Sequence, residues 1–413
     1  MSMPAGFQAT EVGIIPDDWE AVPLGRLGLF CKGQGIRKDQ ASSGDIPCIR
    51  YGEIYTDYND IVRKYRSRIS REVATTSRVL RKGDLLFAGS GETKEEIGKC
   101  VAFVDDCEAY AGGDIIVLSP HSANSVLLGY LLNSEVIARQ KAAKAQGDAV
   151  VHISAKALAD VIAPLPTSDV EQAAIAEALS DMDEAIGAQE AVIAKKRALK
   201  TATMQALLSG TRRLPGFSGE WGAKALRDVA QVDRDNLGAS TSPTYEFRYI
   251  SLEDVDRGLL RQTTKQVFGK APSRARRRVV AGDVLFGTVR PNLQSHLLVL
   301  GDTDDLICST GFAVIRCDEA KADPRFIFFN LFGGFVGKQI ERLLAGSNYP
   351  AISNKDVADI RLKMPDVDEQ GAIAEVIYDM DNDFGRQVAQ LEKLRKVKVG
   401  MMQQLLTGKI RLV

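Results

Sequence analysis

Much of what marks a membrane, secreted or catalytic protein is missing from this chain. No apolar run approaches the roughly 18–20 residues needed to cross a bilayer. The opening stretch, MSMPAGFQATEVGIIPDDWE, has neither the basic nor the apolar region of a secretory signal, so a cytoplasmic protein is expected. The six cysteines form no C-x-x-C pair, which fits a reducing compartment. The three histidines, His121, His152 and His296, are dispersed and show no metal-ligand spacing, so no metal site is expected. His152 precedes an expected helix and reads as structural. No G-x-x-x-x-G-K-[ST] occurs, which excludes a P-loop motor. An adenine-N6 methyltransferase needs an Asp/Asn-Pro-Pro-aromatic run to hold its base. Asp323-Pro324-Arg325-Phe326 lacks the second proline and reads as a helix start. Glu92-x-Lys94 and Glu96-x-x-Lys99 resemble half a nuclease motif without its paired acid. No catalytic residue and no resident cofactor is therefore expected. Net charge is also nearly absent: 53 basic against 54 acidic residues leave −1, which excludes a uniformly basic coat protein. With 413 residues and 45% hydrophobic content, two or more ordinary globular domains are expected.

What is present is a duplication. Residues 171–214, from EQAAIAEALSDMD to MQALLSGTRRL, match 369–412, from EQGAIAEVIYDMD to MQQLLTGKIRL. At a constant offset of 198 there are 22 identities in 44 positions without a gap, far beyond chance. Outside this segment only anchors repeat. Trp19 has a counterpart in Trp221, and Gly83-Asp84-Leu85-Leu86-Phe87 in Gly282-Asp283-Val284-Leu285-Phe286. His152-Ile153-Ser154-Ala155-Lys156 is echoed by Ala351-Ile352-Ser353-Asn354-Lys355. The chain thus divides into a body at 1–166, a shared segment at 167–214, a second body at 215–363 and a second shared segment at 364–413.

Each shared segment predicts a long helix. Ser168-x-x-Glu171 and Asp366-x-x-Glu369 have the spacing of a capping box, no proline follows, and Gly210 and Gly408 supply the stop. Apolar residues recur at Ile175, Leu179, Met182, Ile186 and Ile193, and at Ile373, Ile377, Met380, Phe384, Leu391 and Leu394. That spacing is a coiled-coil seam, suited to helix pairing or a partner, with Gln189 and Gln387 as a register device. About 40 residues at 1.5 Å each give roughly 60 Å of helix. The bodies are mixed α and β. IPCIRYGEIY, DLLFAG and DIIVLSP read as strands in the first, and YEFRYIS, DVLFGTV, HLLVL and GFAVIRC in the second. Residues 126–145 and 325–344 each read as one helix.

The neutral total hides two basic tracts. Residues 50–82 carry nine basic and four acidic groups, with Tyr51, Tyr55, Tyr58 and Tyr65 interleaved. Residues 257–278 carry eight basic and no acidic groups. Each tract lies just before the matched Gly-Asp-Leu/Val strand of its half. Candidate DNA contacts are Arg63, Lys64, Arg66, Arg68 and Arg71 in the first, and Lys265, Lys270, Arg274, Arg276, Arg277 and Arg278 in the second. Arginine suits the role because its planar fork stays charged and grips phosphate or guanine through two bonds. The loops after the matched strands add Ser90 and Lys94, and Arg290 and Asn292; each is equally consistent with a plain turn.

Two divergent bodies alternating with two similar helices, without catalytic motifs, resemble the specificity (S) subunit of type I restriction–modification enzymes. The local matches are EVGIIPDDWE at 11–20, LPGFSGEW at 214–221, and the helix starts at Pro164-Leu165-Pro166 with Glu171-Gln172 and Met364-Pro365 with Glu369-Gln370. The resemblance implies two target recognition domains, each reading half of a split, asymmetric double-stranded DNA site. It implies two antiparallel spacer helices with pseudo-two-fold symmetry, two docked methyltransferase (M) subunits, and restriction (R) subunits joined through them. S-adenosylmethionine, ATP and Mg would then belong to those partners. The same features would suit a type IIB-like or orphan methylase. A coiled-coil interaction protein without DNA readout is the alternative of another class.

Overall fold

A computed structural model describes residues 5–344 and 350–412. It separates into two compact units, Met1–Glu190 with Gln390–Val413, and Ala191–Ala389. The division falls inside the long helices, so a compact unit is not a body plus its own helix.

Both units contain the same two four-stranded sheets. In the first, an antiparallel sheet has the order Cys100–Ala102, Leu85–Ala88, Ile115–Pro120, Gly28–Lys32. Its counterpart has the order Leu297–Leu298, Val284–Gly287, Phe312–Cys317, Ala230–Val232. The other sheet has the order Ser67–Ile69, Ile46–Ile49, Tyr110–Ala111, Arg78–Val79, with the middle pair parallel. Thr264–Val267, Glu246–Ile250, Leu306–Ser309 and Ala275–Arg278 repeat that order, again with a parallel middle pair. The duplication therefore covers the bodies as well as the helices.

The repeated Gly-Asp anchor has a local cause. Gly83 and Gly282 take φ of 97° and 89°, which favours glycine. The aspartate then closes the turn: Asp84 accepts from the Arg81 amide at 2.8 Å and Asp283 from the Val280 amide at 2.8 Å. The strands that follow, Leu85–Ala88 and Val284–Gly287, are buried at every position, as central strands covered on both faces.

Four expectations are corrected. IPCIRYGEIY is a strand only over Ile46–Ile49 and then becomes the helix Tyr51–Thr56. HLLVL contributes strand only at Leu297–Leu298. The single helix expected at 126–145 is two, Ser125–Leu131 and Glu135–Lys144. Asn133 sits at the break, and its amide group bonds Asp60 and the backbone of Cys100 and Gly129. In the second body the helices are Pro324–Asn330 and Gly334–Leu344, parted at Gly333. Asp323 caps the first of these from ahead of Pro324, as the sequence suggests.

The long helices are α1, Asp169–Leu208 with 40 residues, and α2, Val367–Leu405 with 39. Ser168 and Asp366 cap them by accepting from the amides of Glu171 and Glu369 at 3.4 and 2.9 Å. The glutamates do not complete a capping box. They turn toward arginines, as described below. Gly210 and Gly408 take φ of 71° and 65°, and any Cβ there would press on Trp221 or on Pro16 and Trp19. The start of each helix runs antiparallel to the end of the other within one unit. In the first, Lys398 of α2 meets Asp183 of α1 at 2.7 Å and Arg395 meets Glu190 at 2.8 Å. In the second, Lys196 and Lys200 of α1 pair with Asp383 and Asp381 of α2.

Candidate nucleic-acid interface

In each unit the basic tract forms the two outer strands of the mixed sheet and their connection. In the first these are Ser67–Ile69 and Arg78–Val79. In the second they are Thr264–Val267 and Ala275–Arg278. The side chains differ in how free they are. Arg63 bonds Ser180 at 2.9 Å and faces Glu184 at 3.6 Å, Arg66 bonds Asp57, Arg68 bonds the Asp45 carbonyl, and Arg71 bonds Glu108. All four are exposed, as is Lys64, so these bonds are weak restraints. In the second tract Lys265, Lys270 and Arg274 are exposed. Arg276 lies over Phe268 at 4.6 Å and Arg278 over Tyr245 at 5.6 Å, both half-buried.

Arg277 is removed from the candidate contacts. It is 7% exposed, and its guanidinium bonds Asp233 and the Phe312 carbonyl. Burial raises the pKa of Asp233, and the Asp233–Arg277 interaction opposes that rise. Ser90 is removed for the same reason: it is 7% exposed and its hydroxyl bonds Nδ1 of His152 at 2.9 Å. His152 thus has a structural partner. A cavity of about 330 Å³ adjoins this pair, lined also by Lys32, Asp114, Lys144 and Gln146. Lys32 and Lys144 lie outside both tracts and are far apart in sequence, so only the fold reveals their proximity. Lys94 is exposed, 3.7 Å from Asp148. Arg290 and Asn292 are exposed on the equivalent loop of the second body. Among the described residues no group of three or more His, Cys, Asp or Glu is placed to hold a metal ion.

The seam residues split into two kinds. Ile175 and Leu179 are buried in the first unit's core with Leu127, Leu128, Leu405 and Leu406. Ile373 and Ile377 are buried in the second with Leu207, Leu208 and Phe326. These four therefore bind body, helix start and helix end together. Ile193 and Leu391 are buried; Met182, Ile186, Met380, Phe384 and Leu394 are half-buried.

At the end of each helix pair lies a knot of matched residues. Glu171, 1% exposed, accepts from Nε1 of Trp19 at 3.2 Å and from Arg411, whose Nη2 is 2.7 Å away. Arg411 also forks onto Asp18 at 2.9 and 2.7 Å. Glu369, 0% exposed, accepts from Nε and Nη2 of Arg213 at 2.5 and 2.6 Å. The guanidiniums lie 6.0 Å from the Trp19 ring and 5.7 Å from the Trp221 ring. Hydrogen bonds to Glu171 and then Asp18 raise the pKa of Arg411, and those to Glu369 raise that of Arg213. Gln172 and Gln370 dock each helix start by accepting from the amides of Asn124 and Asp323 at 2.9 and 3.1 Å.

Two copies of one sheet arrangement, each tied to helix segments from both repeats, define an internally duplicated two-unit scaffold. The chain matches the type I restriction modification DNA specificity domain over residues 16–195 and again over 219–393, and it belongs to that family. It is 24% identical to the type I restriction enzyme MjaVIII specificity subunit of Methanocaldococcus jannaschii, over 96% of this chain and 94% of that one. It is 25% identical to the putative MjaX specificity subunit of the same organism, over 98% and 96%. The fold is shared with a type I restriction–modification S subunit from M. genitalium (TM-score 0.62, 14% identity, 98% of both chains). It is also shared with a chain from a structure on assembly and conformational transition of the type I R-M system (TM-score 0.57, 17% identity, 96% and 99%).

Proposed function

We propose that this chain is the DNA-reading subunit of a type I restriction–modification complex, each body reading one half of a bipartite, asymmetric site. The observation that carries this is the pair of bodies with one sheet topology and unlike surfaces, in a chain of the specificity family. Readers of different half-sites need a common scaffold and different contact groups. The long helices then set the half-site separation, as spacing does in other two-site DNA readers. Lys265, Lys270 and Arg274, with Arg63, Lys64, Arg66, Arg68 and Arg71, supply phosphate contacts. Methyl transfer from S-adenosylmethionine and ATP- and Mg-dependent cleavage fall to partner chains.

The helices also offer a surface for two copies of one partner. In the first unit Glu177, Asp181 and Gly187 are exposed on α1; in the second their identical counterparts Glu375, Asp379 and Gly385 are exposed on α2. At 100° per residue each trio falls within about 120° of one helix side. A mid-helix glycine costs about 1 kcal/mol relative to alanine. Neither glycine is needed internally, since a Cβ at either would meet nothing within 4 Å. A partner backbone approaching each helix gives them a use, and two methyltransferase subunits fit that pattern.

Co-expression with the cognate methyltransferase subunit, followed by genome-wide mapping of methylated adenines, tests the reading. One asymmetric split motif is expected. A continuous motif, or methylation independent of this chain, would refute it.

A further inference from the structure

We infer that the loop Val289–Gln294 is the base-reading element of the second body, and that it reads purine edges through Arg290 and Asn292. This rests on the DNA-reading function above and names where sequence is distinguished from backbone.

The loop is held in a costly conformation. Arg290 and Gln294 both take positive φ, 49° and 58°, and neither is glycine. Such residues persist only where surrounding bonds over-determine them. Those bonds are present. The Arg290 amide donates to the Pro350 carbonyl at 2.7 Å, and Ile352 donates to Thr288 at 3.0 Å. The Thr288 hydroxyl donates to the Gly311 carbonyl at 2.8 Å, and the His296 amide to Gln294 at 2.8 Å. Buried His296 stacks on Phe286 at 4.4 Å beneath the loop, and Pro291 is buried.

Among the described residues, what this frame displays is uncommitted. Arg290 and Asn292 are exposed, and among the described residues neither side chain has a polar partner. Leu293 between them and Gln294 is 55% exposed. A fixed backbone presenting an exposed guanidinium, an exposed amide and an apolar group matches the groups that read guanine, adenine and the thymine methyl in the major groove.

The first body supports the assignment by contrast. Its loop after the equivalent strand is also anchored, with Ser90–Gly91 pairing to Val151–His152, yet beside Lys94, which faces Asp148 at 3.7 Å, it exposes Glu92, Glu95 and Glu96. A mostly acidic display in one half and a basic and amide display in the other, on a shared frame, are what two different half-sites require. The basic tract is less suited to base reading, because Arg276, Arg277 and Arg278 are held by Phe268, Asp233 and Tyr245.

The test is selection from randomised duplexes by the full chain with its methyltransferase subunits, comparing wild type with Arg290→Ala, Arg290→Lys and Asn292→Ala. Each alanine variant should lose roughly ten- to hundredfold preference at one or two base pairs of one half-site, leaving the other half unchanged. Arg290→Lys keeps the charge but not the fork, so it should lose the same preference while holding its affinity for unrelated DNA. An intact split motif unchanged in all three variants would overturn this inference alone. A wild-type selection without a split motif would overturn the function it rests on as well.

Discussion

Arg411→Ala tests whether the knot at the helix ends holds its unit together. The substitution leaves Glu171, 1% exposed, with only Trp19 Nε1 as its side-chain donor among the described residues. Removing one partner of a buried ion pair costs about 3–5 kcal/mol. The Arg411 side chain is 30% exposed, so water reaches the vacated space and about 2–3 kcal/mol is expected. The bonds to exposed Asp18 add less than about 1 kcal/mol. The chain has two tryptophans, one in each knot, so fluorescence can report each unit separately. In a Trp221→Phe background Trp19 should show the urea midpoint falling by about 1 M, for a slope of roughly 2–3 kcal/mol/M. In a Trp19→Phe background Trp221 should report little change on Arg411→Ala and a comparable fall on Arg213→Ala. Glu171→Gln with Arg411→Met should recover most of the loss, since the charge left behind causes it. A fall of less than 0.2 M at Trp19, or a double variant as unstable as the sum of the singles, would refute the reasoning.

Three further outcomes are expected. Replacing Lys265, Lys270 and Arg274 with alanine should weaken binding to all DNA sequences alike and lower the salt slope by about one per lost phosphate contact, measured by titration at several salt concentrations. Arg277→Ala should instead destabilise the second unit by about 3 kcal/mol with the salt slope unchanged, because it strands Asp233 in a buried site; thermal unfolding separates the two effects. Burial lowers the pKa of His296 to about 3. The unfolded chain therefore takes up a proton near pH 6.5 that the folded chain refuses, and stability falls by up to about 1.4 kcal/mol per pH unit below that point. In His296→Phe that slope should be missing from unfolding curves between pH 6.5 and 4.

The helices, their stops and the repeated anchors were legible because each depends on local chemistry: a cap, a glycine at positive φ, an aspartate closing a turn. The expected single helix of the first body divides at Asn133, whose side chain bonds Asp60 and Cys100, both distant in sequence; that of the second divides at Gly333, where the first helix closes on a local bond from the Gly333 amide to the Asn330 carbonyl. The charge count located the two outer strands of each mixed sheet but could not separate Arg277 from Arg274. Only the fold brings Asp233 and Phe312 to the first and leaves the second exposed. Two copies of one partner would by themselves favour two like helices. The structure adds a reason inside the chain. Glu171 meets Arg411 while Glu369 meets Arg213, and Asp183 meets Lys398 while Asp381 meets Lys200. Each contact takes one residue from each repeat, so both repeats must keep both residues.

That reciprocity changes how recognition can be re-engineered. Exchanging residues 1–166 for another first body should alter one half-site only, if the bodies are modular. Yet the exchange replaces groups that grip retained helix residues, Arg63 on Ser180 among them. Trp19 bonds Glu171, and Asp18 holds Arg411. Asp60 holds Lys398 at 2.7 Å, Tyr130 bonds Asp183 at 2.7 Å, and the Asn124 amide bonds Gln172. Lys398 is the critical member. Burial opposes its charge, and Asp60 with Asp183 outweighs burial to raise its pKa. A donor lacking an acid at position 60 leaves a half-satisfied ammonium in a buried site, at a cost of about 2–3 kcal/mol. Donor bodies retaining Trp19, Asp60 and Tyr130 should give folded chimeras with one half-site changed, read by methylation mapping. Donors without Asp60 should need Lys398→Met to reach the same stability in the Trp19 unfolding assay. If such donors fold equally well with Lys398 in place, the junction is indifferent to this contact and the helix identities have their cause outside the chain.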